Sequence, residues 1–435
     1  MISKLAPPPA VLKIARTLEN AGFETWCVGG AVRDALLGHP HLDWDLATAA
    51  RPPQIRSLFR RTVPVGIEFG TVGVLDEAGI MHEVTTFRRD VRTDGRHAEV
   101  EFGASLDEDL ARRDYTINAI AYSPAKKVLA DPFEGQKDLE RGIVRAVGIP
   151  ADRMKEDRLR ALRGLRFAAR FEFEIEPDTW NAIVDSSPHL GRLSAERVKQ
   201  EIEKTMDQVE HPSRAFSLWR TSGAFATLIP SLVEMSSLDL ATLDYLCPPG
   251  LPGRPQRRVM RMIALFASAP RGSLPAILKG LRFSNADAAW IASIIALWQS
   301  MENEVRTAMM GELPPPDSTL RRWAASAGRT RLAYVMRLAN ARWSAERHAG
   351  VAAPSEERSR SVYRRAIRVA YRDPIEVGDL AINGRDLEKI GIAGPEVGRT
   401  LRWLLESVIN DPKSNERAAL LESAGRRIDA LRSDA

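Results

Sequence analysis

The stretch Cys27-Val-Gly-Gly-Ala-Val-Arg-Asp34, followed shortly by Asp43-Trp-Asp45, decides how the rest of the chain reads. A β-like run, Thr25 to Val28, passes into paired glycines and then into a helix expected to start near Ala31. Backbone N–H groups at such a helix start can approach a phosphate closely, and Gly29 and Gly30 leave room for it. Arg33 falls in the first turn, where a guanidinium could grip phosphate oxygens bidentately. The plain alternative is a tight turn with Arg33 in solvent. Asp43 and Asp45 stand two apart, so on a strand both carboxylates share one side while Trp44 points to the other. Paired carboxylates repel unless a cation lies between them, and hard oxygen donors of this kind suit Mg²⁺.

Around this motif the chain reads in two styles. Up to about residue 150, β-like runs (Thr25 to Val28, Thr71 to Leu75, His82 to Phe87, Val100 to Phe102) alternate with helical stretches and glycine turns, the pattern of a compact α/β domain. From Ala151 onward, apolar residues recur at helical spacing, as in Leu159, Leu162, Leu165 and Ala169, and the remainder reads as all-helical. We expect a head over residues 1–150, a neck over 151–210, a body over 211–330 and a tail over 331–435. The breaks Cys247-Pro-Pro-Gly-Leu-Pro-Gly-Arg-Pro255 and Pro314-Pro-Pro316 are the expected joints between helical groups. With 435 residues, 44% hydrophobic and 27% charged, the chain is long enough for roughly three globular domains and is not disordered. Its most apolar stretch, Ala288 to Trp298, is broken by Ser293 and falls short of the roughly 18 apolar residues that a membrane span needs. The first residues lack the apolar core of a secretory signal, so a cytoplasmic protein is expected. Two cysteines, Cys27 and Cys247, cannot build a disulfide framework and read as reduced buried thiols.

The net charge of +5 permits a polyanionic partner without demanding one, and the distribution of arginine says more. Between Arg358 and Arg372 there are six arginines and no carboxylate. Arg360, Arg364, Arg368 and Arg372 recur every fourth residue, which stacks them on one helical face suited to RNA phosphates, or simply to solvent. In Glu156-Asp-Arg-Leu-Arg-Ala-Leu-Arg-Gly-Leu-Arg-Phe167, the residues Asp157, Arg160, Arg163 and Arg166 recur every third position of an expected helix, beside a buried leucine stripe. An aspartate acceptor beside an arginine donor matches the edges of cytosine and adenine, because both carry an exocyclic amine next to a ring acceptor. Guanine and uracil present their groups in the wrong order and leave buried groups unpaired. Taken alone, the same segment is an amphipathic helix with an exposed arginine stripe.

These segments together resemble the class II tRNA nucleotidyltransferase and bacterial poly(A) polymerase family, of the polymerase-β-like superfamily. The resemblance rests on Gly-Gly-x-Val-Arg-Asp, on Asp-x-Asp, on Asp109-Leu-Ala-Arg-Arg-Asp-Tyr-Thr-Ile-Asn-Ala119 and on the Glu156-Asp-x-x-Arg160 pattern, in the family's order. It is specific over the first 170 or so residues and loose afterwards, in Leu281-Arg-Phe-Ser-Asn-Ala286 and Ile382-Asn-Gly-Arg-Asp-Leu387. It implies an α/β nucleotidyltransferase head followed by an all-α neck, body and tail. The implied activity is addition of CCA to tRNA 3′ ends from CTP and ATP, with Mg²⁺ held by Asp43 and Asp45 and with tRNA as partner. Neither a membrane nor an obligate protein partner is implied. Glu83, in His82-Glu-Val-Thr-Thr-Phe87, is the candidate third carboxylate, since the family has an acidic residue on a neighbouring strand. Arg113 would contact the nucleotide, while Asp114 and Asn118 would orient the site or the ribose. Tyr115 stands where phenylalanine is commoner. Asp157 and Arg160 would serve as a protein template for CTP and ATP. Ser194-Ala-Glu-Arg197 would brace the template helix through Glu196 and Arg197. The stretch Phe87 to His97, alone a solvated loop, would be the family's mobile loop, with Arg88, Arg89 and Arg92 near nucleotide or primer. Two rivals remain: a poly(A) polymerase or CC- or A-only relative, and a catalytically silent RNA-binding protein on the same fold.

Overall fold

The structure, a computed structural model, describes residues 5–39, 43–93, 98–246, 255–270 and 272–433. It divides into two compact units, residues 1–234 and 235–435. Cys247 and most of the Pro-Gly joint that it opens lie outside the described residues, as does the side chain of Arg92.

The first unit is built on a seven-stranded sheet in the order β3-β4-β5-β2-β1-β8-β9. Its strands are β1 (Thr25–Val28), β2 (Asp45–Thr48), β3 (Thr62–Pro64), β4 (Thr71–Leu75), β5 (Met81–Thr86), β8 (Ala121–Ser123) and β9 (Val128–Ala130). Among the described residues its one parallel pair is β2 with β5, in the register Leu46↔Val84 and Ala47↔Thr85. The helix α1 (Pro9–Asn20) buries Val11, Ile14, Ala15 and Leu18, the i, i+3, i+4, i+7 stripe of an amphipathic helix. One face of β1 and β2 serves two purposes. Trp26, Val28 and Ala47 join Phe87, Leu106 and Leu110 in one core, and the same face of β2 ends at Asp45, where Val28 is its partner on β1.

β6 (Arg88–Thr93) and β7 (Ala98–Phe102) form a separate two-stranded ribbon, so the polar stretch after Phe87 is a hairpin and not a solvated loop. Its pairing is helped by a cross-strand ion pair, Arg89 with Glu101 at 2.8 Å. The second strand, Ala98-Glu-Val-Glu-Phe102, alternates apolar and polar residues, whereas the first, Arg88-Arg-Asp-Val-Arg-Thr93, does not, and that hides its strand character in the composition. The helices of the head are α2 (Gly30–Leu37), α3 (Pro52–Leu58), α4 (Leu106–Ala111) and α5 (Gly135–Arg141).

Beyond the head the unit is helical: α6 (Pro150–Glu156), α7 (Leu159–Phe171), α8 (Pro177–Ser186), α9 (Ala195–Gln208), α10 (Pro212–Thr221) and α11 (Ala224–Leu228). One exception to an all-helical remainder is the short parallel pair of β10 (Ile143–Val144) with β11 (Glu174–Ile175), which ties the far end of α7 back to the head. Two residues are too few for any periodic signal.

The second unit is wholly helical among the described residues, from α12 (Ser237–Thr242) and α13 (Pro255–Ala267) through α14 (Leu274–Gly280) and α15 (Asn285–Met310) to α16 (Asp317–Ala327), α17 (Arg329–His348) and α18 (Glu356–Arg372). It ends with α19 (Gly384–Glu388), α20 (Pro395–Asn410) and α21 (Arg417–Ser433), which share a core of Leu387, Leu401, Leu404, Val408 and Leu420. No described helix is long and apolar enough to cross a membrane.

Candidate active site

A cavity of about 590 Å³ opens in the first unit between α2, the turn after α4, and the helices α7 and α9. At its head end, Gly29 precedes α2 at φ 74°, ψ −136°, a conformation that side chains rarely adopt. A Cβ on Gly29 would lie 3.0 Å from Nη1 of Arg113, so the glycine lets that guanidinium rest against the turn. The first N–H groups of α2 have no acceptor within the helix, as at any helix start, and are available to an anion. Arg33, the fourth residue of α2, closes its first turn and is buried rather than turned to solvent. Its Nε donates to Asp34 Oδ1 at 2.8 Å, its Nη1 donates to Asn118 Oδ1, and it lies over the rings of Phe167 and Phe171. Burial pushes it down to about 10, against the opposing pull of Asp34.

Asp45 opens β2 and lines the cavity, Trp44 is buried, and Asp43 is exposed. The β2–β5 register, carried two residues back from Ala47↔Thr85, puts Asp45 beside Glu83. Burial, and then the charges of Asp43 and Glu83, push the Asp45 carboxyl up to about 7, while Arg113 pulls it down. Glu83 is likewise raised, by burial and by Asp43. Among the described residues no three Asp, Glu, His or Cys side chains stand close enough together to hold a metal ion as they are. The charge of Asp43 makes ionisation of Asp45 and Glu83 costly, the condition that a divalent cation relieves, and carboxylate oxygens are its preferred donors. His82, the neighbour of Glu83, is buried against Asp76 at 3.2 Å and is a core histidine.

The turn after α4 supplies the next wall. Ser105 caps α4 reciprocally with Glu108, which fixes where the helix starts, and the chain leaves it at Arg112. Arg113 donates to Asp109 Oδ2 at 3.2 Å and to the Asn118 carbonyl at 3.3 Å, and its buried Nε has no partner. Asp114 accepts from Asn118 Nδ2 and from the Tyr115 amide at 2.9 Å each, and from Arg163 Nε at 2.7 Å. Burial alone would raise Asp114, but Arg163 and Asn118 outweigh it and hold the carboxyl at about 2.

The stretch from Glu156 to Phe167 is not one helix. α6 ends at Asp157, which is extended at φ −148°, ψ 106°, and α7 begins at Leu159. The carboxylate causes the break: its Oδ1 accepts the Leu159 amide at 3.0 Å, satisfying a donor at the helix start. Its Oδ2 accepts from Arg197 Nη2 at 2.6 Å, so Asp157 is aimed into the cavity by α9. Arg160 donates through Nη1 to Glu156 Oε2 at 2.5 Å and to the Arg153 carbonyl, and through Nη2 to the Arg112 carbonyl at 2.9 Å. Its Nε takes no acceptor among the described residues. Arg166 is buried on Glu201 at 2.8 Å and Gln208 at 3.1 Å. The leucine stripe is buried at Leu162 and Leu165, whereas Leu159 turns to the cavity.

The cavity therefore brings together Gly29, Gly30, Arg33, Asp45, Arg113, Asp114, Asn118, Asp157, Arg160, Arg163 and Arg166. It also takes in Arg112, Phe167, Arg170, Arg197, Lys204 and Gln208, of which only Arg197 carried an expectation. Arg170 continues the spacing of Arg163 and Arg166 by one helical step, and Arg197, Lys204 and Gln208 share one face of α9, so both signals were present. Asp43 and Glu83 do not line the cavity. Arg88 donates to the Phe69 carbonyl and Arg89 pairs with Glu101 and Glu108, so both are engaged within the head.

The second unit carries the arginine stripe. On α18, Arg360, Arg364, Arg368 and Arg372 are exposed, opposite the buried Val362, Ala366 and Val369. The stripe is not free of carboxylates: Glu356 pairs with Arg360 at 2.5 Å, and Asp317 of α16 pairs with Arg368 at 3.3 Å. Arg364 and Arg372 make no ion pair among the described residues.

Residues 25–145 match the family described as Poly A polymerase head domain, and residues 172–235 match the probable RNA and SrmB-binding site of polymerase A. The chain is 33% identical over 439 residues to the CCA-adding enzyme of Limosilactobacillus fermentum, which covers 98% of this chain and 100% of that one. It is 34% identical over 418 residues to the CCA-adding enzyme of Geobacillus kaustophilus, covering 95% and 96%. Among solved structures it resembles the Bacillus stearothermophilus CCA-adding enzyme in complex with CTP, with a TM-score of 0.76, 30% identity, and coverage of 99% and 100%.

Proposed function

We propose that this chain, which belongs to the CCA-adding enzyme family, adds C, C and A to tRNA 3′ ends from CTP and ATP, releasing pyrophosphate. One observation carries the residue assignments: a single cavity is lined both by Gly29, Gly30, Asp45 and Arg113, which suit a triphosphate, and by Asp157 and Arg160, which suit a base edge. Asp43 and Asp45 would hold Mg²⁺, with Glu83 as the third carboxylate beside them. A metal held there would supply positive charge that favours in-line attack of the RNA 3′-hydroxyl on the α-phosphorus with pyrophosphate leaving. The amides at the start of α2 and the guanidinium of Arg113 hold phosphate oxygens, and the buried Arg33 adds positive potential while fixing Asn118. Asp157 keeps lone pairs beyond those taken by Arg197 and Leu159, and Arg160 keeps its Nε proton, so the pair can accept from an exocyclic amine and donate to the ring atom beside it.

In the same reading residues 1–150 are the head, 151–210 the neck, 211–330 the body and 331–435 the tail, with Arg360, Arg364, Arg368 and Arg372 set against tRNA phosphates. The substrate puts the work in the cytoplasm. The test is to incubate the protein with tRNA lacking its 3′ end, supply CTP and ATP singly and together, and sequence the ends. Addition that stops after C, C and A supports the reading. A run of A, or arrest after CC with ATP present, assigns the chain to a narrower relative.

A further inference from the structure

Tyr115 touches the base-reading corner without entering it. Its ring is fully buried, edge-on to Phe167 at 5.9 Å, and its hydroxyl donates to the backbone carbonyl of Arg160 at 2.6 Å. One turn further along α7 stands Gly164, where a Cβ would lie 2.2 Å from the same hydroxyl oxygen and 2.8 Å from Cζ. Gly164 is helical, where glycine is ordinarily a loss against alanine, so its value lies in the notch that it leaves. The phenol head fills that notch. Neither residue lines the cavity, and neither carries a charge that could reach a substrate.

The Arg160 carbonyl already has its helical partner four residues on, and the phenol uses the second lone pair of that oxygen. A buried hydroxyl without an acceptor is costly, so the ring and the first turn of α7 are held to one relative height. The guanidinium of the same residue is pinned at its far end by Glu156 and the Arg153 and Arg112 carbonyls. With backbone and head group both fixed, the edge of Arg160 that remains for a base has little freedom.

We propose that Tyr115 and Gly164 are positioning residues for Arg160: in this chain, where tyrosine replaces the commoner phenylalanine, the hydroxyl seated in the glycine notch sets the height of the base-reading arginine and sharpens the discrimination of CTP and ATP from UTP and GTP. This rests on the reading that Asp157 and Arg160 read the base.

The experiment compares Tyr115→Phe, Gly164→Ala and Asp157→Ala in single-nucleotide incorporation onto tRNA lacking its 3′ end, with melting temperature and the KM for tRNA measured alongside. Tyr115→Phe keeps the ring and removes only the hydrogen bond. Its UTP-to-CTP incorporation ratio is expected to rise by about three- to tenfold, the size of one lost hydrogen bond, with the KM for tRNA unchanged. Gly164→Ala is expected to move the ratio further in the same direction; if it fails to fold, Tyr115→Phe still decides. A lowered melting temperature with an unchanged ratio in Tyr115→Phe, while Asp157→Ala relaxes it, overturns the positioning role alone. An unchanged ratio in Asp157→Ala as well overturns both the role and the reading beneath it.

Discussion

Arg197 of α9 donates its Nη2 to Asp157 Oδ2 at 2.6 Å across the break between α6 and α7. Asp157 is thus held by one residue of its own segment, Leu159, and by one from a helix forty positions on. The other terminal nitrogen of Arg197 is buried without a partner. Replacing Arg197 with Met keeps the stem and removes the grip. Misincorporation of UTP or GTP should rise by about tenfold, which corresponds to ~1.4 kcal/mol, read as the ratio of kcat/KM values for each nucleotide. A change in rate common to all four nucleotides would place Arg197 in scaffolding alone.

Asp43→Ala and Asp45→Ala should each abolish nucleotide addition while tRNA binding survives, because the carboxylates serve the metal and repel RNA when the metal is absent. Glu83→Gln should lie between these and wild type, since Glu83 adds charge to the same group without lining the cavity. Turnover of either aspartate variant within about tenfold of wild type is incompatible with a metal-holding role.

The pairing of Asp114 with Arg163 at 2.7 Å predicts an acid-sensitive contribution to stability. The folded carboxyl sits at about 2, below its ordinary value, so its contribution is fully present above about pH 4 and fades as the pH falls toward 2. It amounts to about 2 kcal/mol. Asp114→Asn should melt well below wild type at pH 7, with the gap narrowing as the pH is lowered through 4. A gap independent of pH would show that the ion pair is not its source.

On α18, Arg364 and Arg372 are the arginines to change together, because Arg360 and Arg368 already have carboxylate neighbours. Their replacement by glutamine should raise the KM for tRNA and lower the slope of log KM against log salt by about one for each phosphate that is no longer neutralised. The KM values for CTP and ATP should stay where they are. An unchanged slope would return this face to solvent.

The legible parts were those governed by short-range rules. Paired glycines before a helix, two aspartates at strand spacing and arginines at steps of three or four are local patterns, and the cavity draws on each of them. What the sequence hid was decided by partners distant along the chain. Arg33 reads as a phosphate grip, yet Asp34 and Asn118 occupy its guanidinium, and Asn118 lies 85 positions away. The helix from Glu156 is broken because Asp157 accepts the Leu159 amide, which a continuous helix would give to a carbonyl of the preceding turn. The strand β6, Arg88-Arg-Asp-Val-Arg-Thr93, leaves no apolar alternation to read. Lys204 and Gln208 reach the cavity only because α9 packs beside α7.

The most direct test of the central claim, that one cavity binds the triphosphate at its head end and reads the base at Asp157, is the nucleotide selectivity of Asp157→Ala on tRNA lacking its 3′ end. The account predicts that UTP and GTP become substrates while affinity for the triphosphate group, measured with CTP by calorimetry, changes little. Intact discrimination with only the overall rate reduced would contradict it.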